Sequence, residues 1–247
     1  KGVPESLKDT AYPFNYNNYE ELETLINTHD IGVIKMEVSR NQGPDKDYLE
    51  KVRSLATDRN IVLIFDECTS GFRQSFGGLH LIYGVQPDIA ILGKALGNGY
   101  AITATIGRRE IMEAAQTSFI SSTFWTERIG PTAALKTLEI MERDKSWEII
   151  TDIGGQVAKQ WESLAEDFGL KLTTNGLPAI SSFGFDSPNA LEYKTLITQE
   201  MLKKGYLASN VFFASTQHTT DILDGYFEAL NPVFDLIQQC EDGLDVT

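Results

Sequence analysis

The stretch IVLIFDECTSGFR, Ile61 to Arg73, carries five apolar residues straight into Asp66 and Glu67 and then into a glycine-containing turn. A continuous apolar run of this kind is what a parallel strand covered on both faces requires. Ending such a strand in two carboxylates is costly, because a buried charge needs a compensating partner. The stretch therefore predicts a strand whose carboxyl end faces a positive group.

The flanking sequence extends the pattern in both directions. YEELETLINTH, Tyr19 to His29, has apolar residues at helical spacing and acidic residues early, where a helix dipole favours them. IGVIKMEV, Ile31 to Val38, reads as a strand, and DKDYLEKVRSLATDRN as a second amphipathic helix with Asp45 or Asp47 as its cap. PDIAILGKAL and AITATIGR predict two more short strands. Helix and strand alternate, which indicates an α/β domain with a mostly parallel sheet. In such sheets ligands gather at the carboxyl ends of the strands, where Asp66, Glu67 and Lys94 all fall.

The character changes after PTAALKTLEIMER. An amphipathic stretch from about Ser146 to Phe168 leads into LKLTTNGLPAISSFGF, which predicts β-structure about a turn with glycine and proline. ALEYKTLITQEMLKKGY predicts a helix stopped by Gly205, and TTDILDGYFEALNPVFDLIQQC another. Residues 1–144 are thus expected to form one α/β domain and residues 145–247 a smaller α+β domain.

Composition narrows the function classes. With 21 basic and 35 acidic side chains the net charge is −14, which argues against nucleic acid or an anionic membrane as partner. Cys68 and Cys240 lie far apart with no CxxC pair, as in reduced thiols of a cytoplasmic protein. His29, His80 and His218 lack metal-ligand spacing, so no zinc site is expected. No apolar run approaches the roughly 20 residues that span a bilayer, and no signal peptide opens the chain. The opening KGVPESLKDTAYPFNYNN lacks an initiator Met and reads as a loop under way, predicting the later part of a longer protein.

Three elements carry chemistry: Asp66, Lys94 in ILGKALGNGY, and Thr126 in FWTERIGPTAAL. Singly each has an ordinary reading, as loop anchor or metal ligand, solvated lysine, and turn residue. GKALGNG lacks the GxxxxGK[ST] order of a Walker loop. Jointly they supply an amine that forms an imine with an aldehyde, an acid for a pyridine nitrogen, and a hydroxyl for a phosphate. Those are the requirements of pyridoxal 5′-phosphate. A competing reading makes Asp66 and Glu67 a magnesium site with Lys94 on a phosphate.

LIFDECTSGFR, followed 28 residues after Asp66 by the lysine of PDIAILGKALGNGYAITATIGR, resembles the class III aminotransferases of fold type I. The subgroup it is most similar to is glutamate-1-semialdehyde 2,1-aminomutase and its relatives, and the resemblance runs from KGVP to QHTTDI. It implies a PLP-transferase fold, with the second half of the large domain in residues 1–144 and the small domain after it. Lys94 would hold the cofactor as a Schiff base and move the proton at the substrate Cα. Asp66 would pair with the pyridine nitrogen, Cys68 would stand on a ring face where the family usually has Val, and Thr69 would lie near the phenolic oxygen. Thr126, five residues before Pro131, would reach the cofactor phosphate of the neighbouring subunit of a homodimer, while Glu67 and Arg73 would hold the turn by ion pairs. The partners implied are a small amino donor and a carbonyl acceptor.

TERIGP departs from the family's TxxGNP, and EVSRNQGP, Glu37 to Pro44, from its Glu-Pro-rich loop, so substrate contacts there do not carry over. The family's N-terminal portion, with its main phosphate loop and ring-stacking aromatic, is not in this sequence. The alternative within the same fold is a catalytically inactive remnant.

Overall fold

The computed structural model describes residues 2–39, 41–124 and 126–244. The chain divides into two compact units, one of Lys1–Val38, Gly43–Gly71 and Gly77–Ala134, the other of Ser39–Gln42, Phe72–Phe76 and Leu135–Thr247.

In the first unit, α1 (Tyr19–Thr28) leads to β1 (Val33–Met36), α2 (Tyr48–Asp58) to β2 (Val62–Glu67), and the single turn α3 (His80–Tyr83) to β3 (Ile89–Leu92). β4 (Ala104–Gly107) and the short α4 (Arg109–Met112) follow. The strands lie in chain order, with β1, β2 and β3 parallel and β4 an antiparallel edge. Register sets Met36 beside Phe65, and Asp66 and Glu67 beside Ile91 and Leu92.

α2 buries Tyr48, Leu49, Val52, Leu55 and Ala56, the spacing of one helical face, and packs on β2. Asn18 caps α1 through its side chain, which accepts from the Glu21 N–H. Asp47 does occupy the position before α2, but its backbone is left-handed and its side chain makes no cap hydrogen bond. Asp88 ties the sheet together. Buried at the start of β3, it accepts from the Leu63 N–H, from Arg53 of α2 and from Arg108 beyond β4.

The expectation of a strand covered on both faces needs correction. In β2 the side chains of Leu63, Phe65 and Glu67 are buried, whereas Val62, Ile64 and Asp66 are half-buried. β1 and β3 alternate in the same way, and Val33 on the second face is 52% exposed. An unbroken apolar run has the same sequence appearance whether its second face is fully or partly covered.

α5 (Ile129–Asp144) begins in the first unit and belongs to the second from Leu135 on. The second unit continues with α6 (Ser146–Asp167), β5 (Leu172–Leu177), β6 (Ile180–Phe185), α7 (Ala190–Lys203), β7 (Val211–Phe213) and α8 (Thr220–Glu241). Its three strands are antiparallel in chain order. Leu177 pairs with Ile180, so Pro178 and Ala179 make the turn between β5 and β6. The core gathers Val157 and Trp161 of α6, Phe183 of β6, Ile197 and Met201 of α7, and Leu230 and Phe234 of α8. The Trp161 indole N–H satisfies itself on the Tyr226 hydroxyl at 3.0 Å.

Gly154 lets α6 approach that turn: a Cβ there would lie 1.7 Å from the Pro178 carbonyl oxygen. Gly154→Ala should therefore cost about 1–3 kcal/mol through forced backbone displacement, despite alanine's better helix propensity. A urea midpoint unchanged or raised in this variant would contradict the packing described.

Candidate active site

β2 presents its last two side chains to opposite sides of the sheet. Glu67, with no exposed surface, turns to the packed side. One carboxylate oxygen accepts from the Ser70 hydroxyl at 2.5 Å and the Leu79 N–H at 2.8 Å. The other accepts from the His80 N–H at 2.8 Å and faces His80 Nδ1 at 2.7 Å, which places the ring proton on Nδ1. Glu67 thereby ties the segment after β2 back to the start of α3. Burial alone pushes its carboxyl up, but the hydrogen bonds from His80, Ser70 and the two amides outweigh it and hold the group below the usual carboxylate range.

This has a measurable consequence. A carboxyl whose folded pKa lies below its unfolded one contributes stability that is fully present above the unfolded value and is lost as pH falls through the folded value. The Glu67 contribution should be complete above about pH 5 and disappear in stronger acid. Glu67→Gln should cost about 3 kcal/mol at neutral pH and flatten the acid limb of a stability–pH profile. An acid limb as steep as that of the unsubstituted chain would show that Glu67 is not the group responsible.

Asp66 turns to the half-open side. Its Oδ1 accepts the Cys68 N–H at 3.2 Å and its Oδ2 accepts the Lys35 ammonium at 2.7 Å. The hydrogen bond from Lys35 is the main reason its carboxyl sits below the usual range, with the Cys68 N–H and the charge of Lys94 acting in the same direction against a smaller opposing effect of burial. Nothing in the sequence reading pointed to Lys35. Its one signal is a lone charge within VIKMEV, and its partner emerges only when β1 is laid beside β2 with Lys35 opposite Ile64.

Lys94 follows β3 and Gly93 and opens a turn of 3-10 helix, Lys94–Leu96. Its φ of 45° is a left-handed conformation that costs a non-glycine residue of order 1 kcal/mol. Its Nζ donates to Thr69 Oγ1 at 2.5 Å. Gly93 is required by close approach, since a Cβ there would lie 2.7 Å from Cys68 Sγ. Adjacency of β2 and β3 thus brings Asp66, Cys68, Thr69 and Lys94 to one edge, with Lys35 joining from β1.

Thr126 is placed differently. It lies on an exposed turn ahead of α5 and is not among the described residues hydrogen-bonded to Asp66 or Lys94. In the same turn Glu127 accepts the Ile129 and Gly130 amides, so the departure TERIGP places a carboxylate at the start of α5. Beside β1, Tyr12, Phe14, Tyr16 and Met36 line a cleft of about 290 Å3 together with Lys35 and Glu37.

The arrangement holds an amine, a carboxylate kept ionised and a hydroxyl along one strand edge. The magnesium reading fits it poorly: Asp66 and Glu67 diverge to opposite faces, and Glu67 is saturated by its own loop.

The sequence model of the aminotransferase class-III family matches residues 25–212. The chain belongs to this family. Among curated relatives it is 36% identical over 226 residues to a 3-aminobutyryl-CoA aminotransferase of Cloacimonas acidaminovorans, covering 88% of this chain and 54% of the relative. It is 30% identical over 257 residues to a glutamate-1-semialdehyde 2,1-aminomutase of Hyperthermus butylicus, covering 95% of this chain and 60% of that one. The chain therefore spans little more than half the length of these class-III relatives. Among solved structures, the FumI protein of Sphingopyxis sp. MTA144 in its PLP internal aldimine form superposes with a TM-score of 0.92 at 22% identity, covering 99% of this chain and 62% of that one. The fold is fold type I of the PLP-dependent transferases, as the motifs implied. No helix among the described residues is long and apolar enough to cross a membrane.

Proposed function

We propose that the protein moves an amino group between a small amino donor and a carbonyl acceptor, or between two carbons of one molecule, with pyridoxal 5′-phosphate as cofactor. The observation that carries this reading is the edge on which Lys94, hydrogen-bonded to Thr69, stands one strand away from the ionised Asp66. Membership of a family whose relatives include an aminotransferase and an aminomutase supports it.

The residues present fit the cofactor. Asp66 already accepts hydrogen bonds on both oxygens from donors, so it is shaped to accept a ring N–H. Lys94 would hold the aldehyde carbon through its amine, Thr69 would face the phenolic oxygen, and the small Cys68 side chain, seated against Gly93, would pack on a ring face. Thr126 would serve the phosphate in the neighbouring subunit of a homodimer. When bound, the group supplies an electron sink for charge developing at the substrate carbon. Lys94, once its amine is free, would take the proton from the substrate Cα and deliver it to the carbon that had been the aldehyde, the shift that amino transfer needs. Thr69 orients the amine by accepting its hydrogen bond. Asp66 would hold the ring through its nitrogen and favour that nitrogen's protonated form.

On this reading residues 1–144 are the second half of the large domain and 145–247 the small domain of a cytoplasmic enzyme. The test is retention of cofactor. Protein equilibrated with pyridoxal phosphate and then dialysed should keep close to one equivalent per chain, and Lys94→Ala should lose most of it. No retention by the full-length parent protein would overturn the reading.

A further inference from the structure

Among the described residues, Lys35 is the one charged group bonded to Asp66 from another strand. It projects from β1 on the same side of the sheet as Asp66, and its ammonium reaches Oδ2 at 2.7 Å. We infer that Lys35 tunes Asp66: it withdraws part of the carboxylate's charge and so lowers the proton affinity of a ring nitrogen held there. This rests on the cofactor reading above.

The argument is one of shared charge. A carboxylate that accepts one ammonium has less negative potential to offer a second cation. A protonated ring nitrogen on Asp66 would also stand within a few ångströms of the Lys35 ammonium, and like charges at that range disfavour the protonated form. Both effects act in the same direction. Lys35 is about half exposed, so solvent weakens them without abolishing a direct 2.7 Å contact.

The other groups that bear on Asp66 do not cancel this. Lys94, from the turn after β3, adds a further positive charge, and the Cys68 N–H a dipole of the same sense. The Cys68 thiol sits against Gly93. Glu37, two residues after Lys35 and just past the end of β1, is the acidic group that lines the cleft with Lys35, Tyr12 and Tyr16. Lys35 remains the largest influence on the Asp66 carboxyl. As a residue acting through Asp66, Lys35 is a positioning and tuning group rather than a catalytic one.

The test has two arms that need no turnover. In the first, aspartate labelled with 13C at the side-chain carboxyl is followed by NMR against pH in cofactor-free protein. Lys35→Met should move the Asp66 midpoint up towards the ordinary carboxyl value, and Lys35→Arg should keep it low. In the second, pyridoxal phosphate labelled with 15N in the ring is bound to the full-length parent protein, and the pH at which the ring nitrogen loses its proton is read. Lys35→Met should raise that pH, and Lys35→Arg should restore it. A ring-nitrogen titration identical in Lys35→Met and the unsubstituted protein overturns the inference, as does an unmoved Asp66 midpoint. Asp66→Asn, run in parallel, separates the two proposals. If it leaves pyridoxal phosphate affinity unchanged, the cofactor reading falls and this inference with it; if it weakens affinity while Lys35→Met changes nothing, this inference alone falls.

Discussion

Lys94→Ala should lower amino transfer by the parent protein about ten-thousandfold, the upper range for loss of a positioned proton-transfer group. The structure gives the reason. Lys94 is the amine at the carboxyl edge of β3, and its strained backbone and its bond to Thr69 aim it along that edge. Alanine has neither an amine to hold an aldehyde nor a base to take a proton. A small primary amine added to the solvent should restore part of the rate, since the missing group is a diffusible chemical function and the cavity it leaves is open to solvent. Turnover by Lys94→Ala within tenfold of the unsubstituted protein, or a loss that no added amine relieves because the chain is unfolded by circular dichroism, would remove the support this residue lends.

The second large effect is at Asp66. Asp66→Asn preserves shape and the acceptor oxygen for the Cys68 N–H, but removes the charge that Lys35 and a ring N–H share. Loss of one preorganised electrostatic partner costs about a hundredfold to a thousandfold in turnover. The Asn variant should also leave Lys35 without its ion pair, at little cost to stability because that ammonium is largely in water. The check is a paired measurement of kcat and of the urea midpoint. A large drop in both would mean that Asp66 is structural; the account predicts a drop in kcat alone.

Much of this was readable from the chain because it is local. The apolar run Ile61–Phe65 ends in carboxylates, and Lys94 follows a second strand through a glycine, so short apolar runs and strand-end logic suffice to place both at the ligand edge of a sheet. Helix bounds such as Ser146–Asp167, and the stop at Gly205 after Ala190–Lys203, follow equally from apolar spacing and one glycine in a left-handed backbone. What escaped depends on pairing across distance. Lys35 meets Asp66 only through the parallel register of β1 and β2, 31 residues apart in sequence. The role of Glu67 depends on His80 arriving 13 residues later to close a loop, which no spacing rule encodes. Full coverage of one sheet face and partial coverage of the other is a property of packing, invisible in an apolar run. Asp47 has a capping side chain in the right position, but its backbone is left-handed and it makes no cap hydrogen bond, which residue type alone does not reveal.

The central claim is that Lys94 carries the cofactor, and it is tested directly by trapping. Full-length protein incubated with pyridoxal phosphate is reduced with borohydride, which fixes the cofactor to the amine that holds it, and the digest is searched by mass. The account predicts one stoichiometric label, on Lys94, absent in Lys94→Ala and undiminished in Lys35→Met. A folded protein with Lys94 unlabelled, or with label scattered over surface lysines, would contradict it.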